Sequence, residues 1–176
     1  SGRIEVLGNV YGACDVREVR KAIGYSSQSL IEKLALRDPV WEVVATGAYG
    51  FLRFYQEIPD DVQARARDIL EKIKLGRTAD LPLGALSQGE RKKVMLARSM
   101  MMNPRLLIMD EPCSGLDLYE RERLLEDLHV FGEAVDCLVY VTHHIEEIMP
   151  LFTHVLLLDD GKVLAAGEKS RVLTAE

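Results

Sequence analysis

An α/β fold organised around a mostly parallel sheet is the architecture this sequence predicts, and three observations carry it. Short apolar runs at 106–109, 138–141 and 154–158 have the length and continuity of strands buried in a sheet. Before and between them lie stretches with helical spacing of apolar residues, at 60–73 and 119–131. Strands that alternate with helices build parallel sheets, because each return to the same sheet edge needs a crossover.

The elements follow in order. Arg3–Leu7 alternates polar and apolar residues, as a half-buried strand does, and Gly8 and Gly12 punctuate the loop behind it. Val19–Ser26 leads into a second short strand ending near Gln28. From Ser29 to about Asn103 the character is helical. An apolar, aromatic stretch from Trp41 to Phe54 is interrupted by Gly47 and Gly50. Pro59 and the capping Asp60 open a clearer helix, with Val62, Ala66, Ile69, Leu70 and Ile73 on one face and Gly76 as its stop signal. Leu81–Gly84 is a turn. The next helix starts at Ser87 and runs to about Met102, where Asn103-Pro104 ends it. Leu106–Met109 then reads as a strand covered on both faces. Tyr119–Phe131 is a helix turning Leu124, Leu125, Leu128 and Phe131 inward. Leu138–Val141 is another buried strand and His154–Leu158 a third. The Asp160-Gly161 turn leads into a last strand at Lys162–Ala165.

Composition excludes several classes. The 176 residues carry a net charge of −6, which gives no electrostatic reason to expect nucleic acid as a partner. Cys14, Cys113 and Cys137 are odd in number and far apart, and no CxxC pair occurs. Neither a disulfide framework nor a zinc knuckle fits, and a reducing compartment, the cytoplasm, is expected. The apolar runs are too short to span a bilayer, and no signal-peptide pattern opens the chain. The chain starts inside a strand without an initiator Met, as a truncated or processed piece would.

Four features carry chemistry. Leu106–Met109 ends in Asp110 and Glu111, two acids beyond the carboxyl end of a strand, where ligands of open α/β sheets bind. Asp110 is placed to hold Mg²⁺ and Glu111 to polarise an attacking water; alternatively the strand simply ends in a polar turn. In Leu86-Ser87-Gln88-Gly89-Glu90, Ser87-x-x-Glu90 is a capping box. The exposed helix start behind it offers free amides and a positive dipole end suited to a terminal phosphate, although a capping box alone is only a cap. Thr142-His143-His144 follows the 138–141 strand, where an imidazole can reach a phosphate oxygen or a catalytic water. Zinc is the rival there, but no HExxH occurs and no third ligand lies nearby. His129 and His154 read as structural or surface residues. Gln28 lies past another strand end, and Asp117, in Ser114-Gly115-Leu116-Asp117, is placed to cap the following helix.

As an ordered set, these residues resemble the nucleotide-binding ATPase domain of ATP-binding cassette (ABC) transporters along nearly the whole chain. Gln28 is similar to the Q-loop glutamine and LSQGE at 86–90 to the signature motif, with Gln88 and Glu90 as variants within the family's range. Asp110 and Glu111 resemble the Walker B aspartate and catalytic glutamate, SGLD at 114–117 the D-loop, and His143 the switch histidine. The resemblance implies a P-loop NTPase-like (RecA-like) core with an inserted α-helical subdomain: 1–28 and 105–176 as core, 29–104 as the helical part. It implies ATP and Mg²⁺ as cofactors, with Asp110 and Gln28 toward the metal and Glu111 and His143 in catalysis. Ser87, Gln88 and Gly89 would grip the γ-phosphate of ATP held by a second copy in a head-to-tail dimer, and Asp117 would communicate across it. Gln28 would sense that phosphate and couple the core to the helical part. A membrane permease is the implied partner. It would dock near Gln28, where Trp41, Tyr49, Phe51, Phe54 and Tyr55 fall, although ordinary core packing is the simpler role for these aromatics. The implied location is cytoplasmic, on the inner face of the cell membrane.

One departure divides the reading. No GxxxxGK[ST] run occurs; Gly161-Lys162 is followed by Val163. In the family that Walker A loop and the adenine-stacking aromatic precede the stretch resembling Arg3–Leu7. Its strand lies between those read at 138–141 and 154–158. Two unpaired strand edges and an inactive fragment are therefore expected. Two alternatives stand beside a transport ATPase. One is an inert module presenting Ser87 and Gly89 to ATP on a complete partner; the other is a non-transport ABC ATPase.

Overall fold

The computed structural model describes residues 2–174. Its first element is a small hairpin. β1 (Glu5–Val6) pairs antiparallel with β2 (Asn9–Val10) through Leu7 and Gly8, both at positive φ. A six-residue helix, α1 (Val16–Lys21), follows. Asp15 caps it by accepting the Arg17 amide at 2.9 Å, with Glu18 in its first turn and Arg20 and Lys21 in its last. Six residues are too few for a helical period to register in the sequence, so this helix is a finding of the structure.

β3 (Ile23–Ser27) comes next, and a layer of helices follows it: α2 (Gln28–Ile31), α3 (Val40–Ala45), α4 (Asp60–Lys72) and α5 (Gln88–Ser99). α4 buries Ala66, Ile69 and Leu70, as its spacing predicts, and Ile73 just beyond it is buried too. Its ends differ from the expected ones. Pro59, extended at φ −56° and ψ 143°, holds the N-cap position, and Asp60 is the first helical residue, with no side-chain cap bond. Proline suits a helix start because the missing amide would be unpaired there. The helix stops at Lys72, and Lys74 rather than Gly76 adopts the left-handed conformation. α5 likewise ends at Ser99, before Met102.

β4 (Leu106–Asp110), α6 (Leu118–Gly132) and β5 (Cys137–Val141) complete the core. The sheet order is β3-β4-β5, all parallel, and Ser27, Asp110 and Val141 lie in register at the carboxyl ends. β4 is central, with Leu107 and Met109 fully covered and the alternate residues half-covered. α6 turns Leu124, Leu125, Leu128 and Phe131 into the core as its pattern predicts. β5 is not the buried strand its apolar sequence suggests. Val139 and Val141 are exposed, and among the described residues its outer edge has no partner.

The helical layer lies against the sheet closely enough to dictate a glycine. A Cβ on Gly24 of β3 would sit 2.7 Å from the Ser99 carbonyl at the end of α5. Arg98, buried in α5, pins the aromatic stretch. Its Nε donates to Thr46 Oγ1 at 2.9 Å and a terminal nitrogen donates to the Phe51 carbonyl at 2.6 Å. Burial lowers its pKa from the ordinary arginine range. Lys93 of α5 forms an ion pair with Asp127 of α6.

The chain divides into two units, one ending at His143 and the other beginning at His144. The expected segments 1–28 and 29–104 and the first part of 105–176 share the first unit. In the second, β6 (His154–Asp159) and β7 (Lys162–Glu168) form an antiparallel hairpin with a register shift at Leu157–Leu158, and α7 (Lys169–Val172) closes it. Among the described residues β6 pairs only with β7. No helix among the described residues is long and apolar enough to cross a membrane.

Candidate functional site

The parallel sheet gathers three of the sequence-predicted residues by register alone. Because Ser27, Asp110 and Val141 lie side by side, the residues that follow them, Gln28, Glu111 and Thr142-His143, emerge at one end of the sheet. Glu111 leaves β4 in the left-handed region at φ 48°, a conformation that costs a non-glycine residue about 1–3 kcal/mol. Its amide donates to the Val141 carbonyl at 2.9 Å, which holds this turn against β5. The turn presents the carboxylate to His143, whose Nε2 lies 2.6 Å from Glu111 Oε1. Both side chains are open to solvent. An acid and an imidazole in hydrogen-bond contact, one of them held by a strained backbone, are equipped to take and pass a proton.

Beside them, Asp110 receives the Tyr25 hydroxyl at 3.5 Å. Tyr25, on β3, is a site residue that the sequence reading passed over; the signal was its place three residues before Gln28, on a strand adjoining the acids. The Gln28 side chain is divided. Its amide nitrogen donates to Glu32 at 3.3 Å, while its oxygen Oε1 is buried with no hydrogen-bond partner. A buried amide oxygen without a donor costs about 1–3 kcal/mol. Ser27, the residue before Gln28, lies in register with Asp110.

The signature segment forms the expected cap in full. Ser87 Oγ accepts the Glu90 amide at 3.2 Å, and Glu90 Oε2 accepts the Ser87 amide at 2.8 Å. The first-turn amides of Gln88 and Gly89 have no preceding helical carbonyl to bond. Ser87→Ala is expected to cost about 0.5–2 kcal/mol of stability through loss of this cap, read as a lower thermal midpoint. An unchanged midpoint would show that Glu90 alone holds the turn.

The structure brings this segment to the 114–117 loop. The Gln88 side-chain nitrogen Nε2 lies 3.2 Å from where a Cβ on Gly115 would be, and Gly115 sits at φ 75°. Buried Lys92 donates to the Ser114 carbonyl. Asp117 caps α6, its carboxylate accepting the Glu120 amide at 2.8 Å. Behind Glu111, the Tyr140 hydroxyl on β5 contacts Cys113 Sγ at 3.3 Å and ties the loop to the sheet.

His144, next to His143 in the chain, faces Glu146 at 3.5 Å, and the other two histidines stay apart. His129 faces Glu133 at 3.8 Å, and His154 pairs with Thr153. No cluster of three or more His, Cys, Asp or Glu side chains suited to a metal occurs among the described residues. The aromatics divide: Phe54 is buried against Tyr49 and Phe51, whereas Tyr49, Phe51 and Tyr55 are exposed, Tyr55 almost wholly. Beside them an open groove of about 450 Å³ is lined by Trp41, Phe54 and Tyr55 and by the acids Glu42, Glu57 and Asp60. Burial, then the nearby Asp38 charge, raises the Glu42 pKa.

A parallel α/β core with acids at its strand ends and a capped helix start on the adjoining layer fits a P-loop NTPase-type fold. Comparison with known proteins is specific beyond that. Residues 1–114 match the ABC transporter family. An uncharacterized ABC transporter ATP-binding protein of Bacillus subtilis, YlmA, is 38% identical over 177 residues, covering 99% of this chain and 67% of its own length. Among solved structures, cbiO1 of Clostridium perfringens, part of the ABC transporter complex cbiONQ, superposes with a TM-score of 0.80 at 26% identity. It covers 98% of this chain and 68% of that one. The fold is shared with the dimeric ATP-binding cassette MJ0796 bound to ADP and Pi, at a TM-score of 0.74 and 23% identity, over 96% and 73% of the two chains. The chain belongs to the ABC transporter family, among its ATP-binding subunits, whose activity is ATP hydrolysis. It spans about two thirds of the length of these relatives.

Proposed function

We propose that these residues supply the hydrolytic acids and the signature face of a transport ATPase. The observation that carries this is the contact of Glu111 with His143 at the sheet end that also presents Asp110 and Gln28. Glu111 acts as the general base on the attacking water. His143 holds that carboxylate in place, and its exposed ring steadies charge on the departing phosphate. Donation from Nε2 to Glu111 requires the proton on that nitrogen.

The unpartnered Gln28 oxygen and the Asp110 carboxylate fit a hard divalent cation, which takes oxygen ligands and completes its shell with water and phosphate. Mg²⁺ bound there would neutralise phosphate charge during transfer. Tyr25 orients Asp110 toward it. Ser87, Gln88 and Gly89 present amides and a hydroxyl to the terminal phosphate of ATP on a second copy, in a head-to-tail dimer, with Asp117 beside that interface. Residues 29–104 serve as the helical subdomain, and 1–28 and 105–176 as core. The exposed Tyr49, Phe51 and Tyr55 and the adjoining groove receive a membrane permease at the cytoplasmic face.

ATP turnover by the complete subunit tests this reading. Excess EDTA is expected to reduce turnover to background and Mg²⁺ to restore it, while Asp110→Asn raises the Mg²⁺ concentration needed for half activity. Turnover that persists in EDTA would refute the metal role of Asp110 and Gln28.

A further inference from the structure

Glu120 stands at a junction that the catalytic reading leaves unexplained. It occupies the third position of α6, after the capping Asp117. An acid at that position ordinarily reaches back to the cap residue's amide and completes a reciprocal pair. That happens at Ser87 and Glu90 on α5, where both bonds form. At Asp117 only one half is made: the Glu120 amide donates to Asp117, and the Glu120 carboxylate is turned elsewhere. It lies against Gly89. A Cβ built on Gly89 would sit 2.8 Å from Glu120 Oε1 and Cδ and 3.1 Å from Cγ, and Glu120 supplies all three of its nearest atoms. Gly89 is buried in the first turn of α5. The half-buried Glu120 carboxylate thus contributes negative charge at the positive end of a second helix as well as its own.

We infer that Glu120 is a positioning residue of the signature turn: it couples the start of α6, and with it Asp117, to Gly89, and its charge tunes how strongly the N-terminus of α5 receives a phosphate anion. Two effects follow from one side chain. Its bulk braces the turn that presents Ser87 and Gly89, which needs only shape. Its charge favours the helix end while that end is empty and opposes an incoming anion, which needs ionisation. Gln retains the shape and removes the charge; Ala removes both. The inference rests on the reading that Ser87 and Gly89 face a terminal phosphate.

The test is steady-state ATP hydrolysis by the complete subunit, comparing the parent with Glu120→Gln and Glu120→Ala at low and high salt. Glu120→Gln is expected to lower KM for ATP by about two- to fivefold at low salt with little change in kcat, as removing one unit charge near a helix terminus should. The gain should fade in high salt, where the charge is screened. Glu120→Ala is expected to lower kcat through loss of the brace. A purely structural role for Glu120 would leave KM and its salt dependence unmoved in Glu120→Gln, and that result overturns the proposal. Thermal midpoints of both variants separate loss of fold from loss of function. Ser87→Ala, run alongside, distinguishes the two failures. If it leaves KM for ATP unchanged, the reading of the signature face fails; if it raises KM while Glu120→Gln does nothing, only the role of Glu120 fails.

Discussion

Replacing Glu111 with Gln is expected to lower ATP turnover by the complete subunit by about 10²–10⁴-fold, the range general-base catalysis contributes. The substitution is nearly isosteric. Its backbone remains in the left-handed turn after β4, its amide still donates to Val141, and its side-chain oxygen still accepts from His143 Nε2 at the same place. The capacity to take a proton from water is lost. Affinity for ATP, measured by equilibrium binding, should therefore persist while turnover collapses. His143→Ala should reduce turnover as well, with the base still present but no longer held in position. Turnover in Glu111→Gln close to that of the parent would assign the base elsewhere and leave the Glu111–His143 contact a surface ion pair, worth little in energy.

Leu107→Ala carries the largest expected cost in stability, about 2–5 kcal/mol. Leu107 is fully buried in β4, the central strand, with β3 and β5 on either side and the helical layer above it. The loss combines the transfer free energy of the removed methyl groups with a cavity that the sheet cannot fill, because hydrogen bonds on both edges hold β4 in place. For a chain of this size the thermal midpoint should fall by about 2–4 °C per kcal/mol. Leu107 lies three positions before Asp110, so the strand that loosens is the one that aims both acids. Val139→Ala on the exposed β5 makes the control, expected to cost far less. Equal losses at the two positions would show that β4 is not the anchor of the sheet.

Much of this site was legible in the amino-acid sequence because its signals are local. The Ser87–Glu90 cap, the Asp117 cap and the acids after an apolar strand each depend on residues a few positions apart, and the structure forms all of them. The helical faces of α4 and α6 were legible for the same reason. What escaped was short or set by remote contacts. α1 has too few residues for a period, and Tyr25 gains its relation to Asp110 only through strand pairing. The helix ends at Lys72 and Ser99 were misplaced because Gly76 and Asn103 are plausible stops that compete with nearer ones. The apolar run at 138–141 taken alone suggests a buried strand, since apolar character records what a strand can bury and not what lies beside it; the unpaired edge expected there from the family resemblance is present among the described residues.

The sequence alone determined which residue types stand at each strand end and helix start, and their order identified the family, because caps, turns and periodicity are written within a few residues. The tertiary structure decided which of them meet. It set Glu111 against His143 and left the Gln28 oxygen buried without a partner. It also turned Glu120 from its own cap onto Gly89. Each of these depends on the register of parallel strands and the seating of α5 against α6, where residues remote in the chain are brought within ångströms of one another by packing of the whole core.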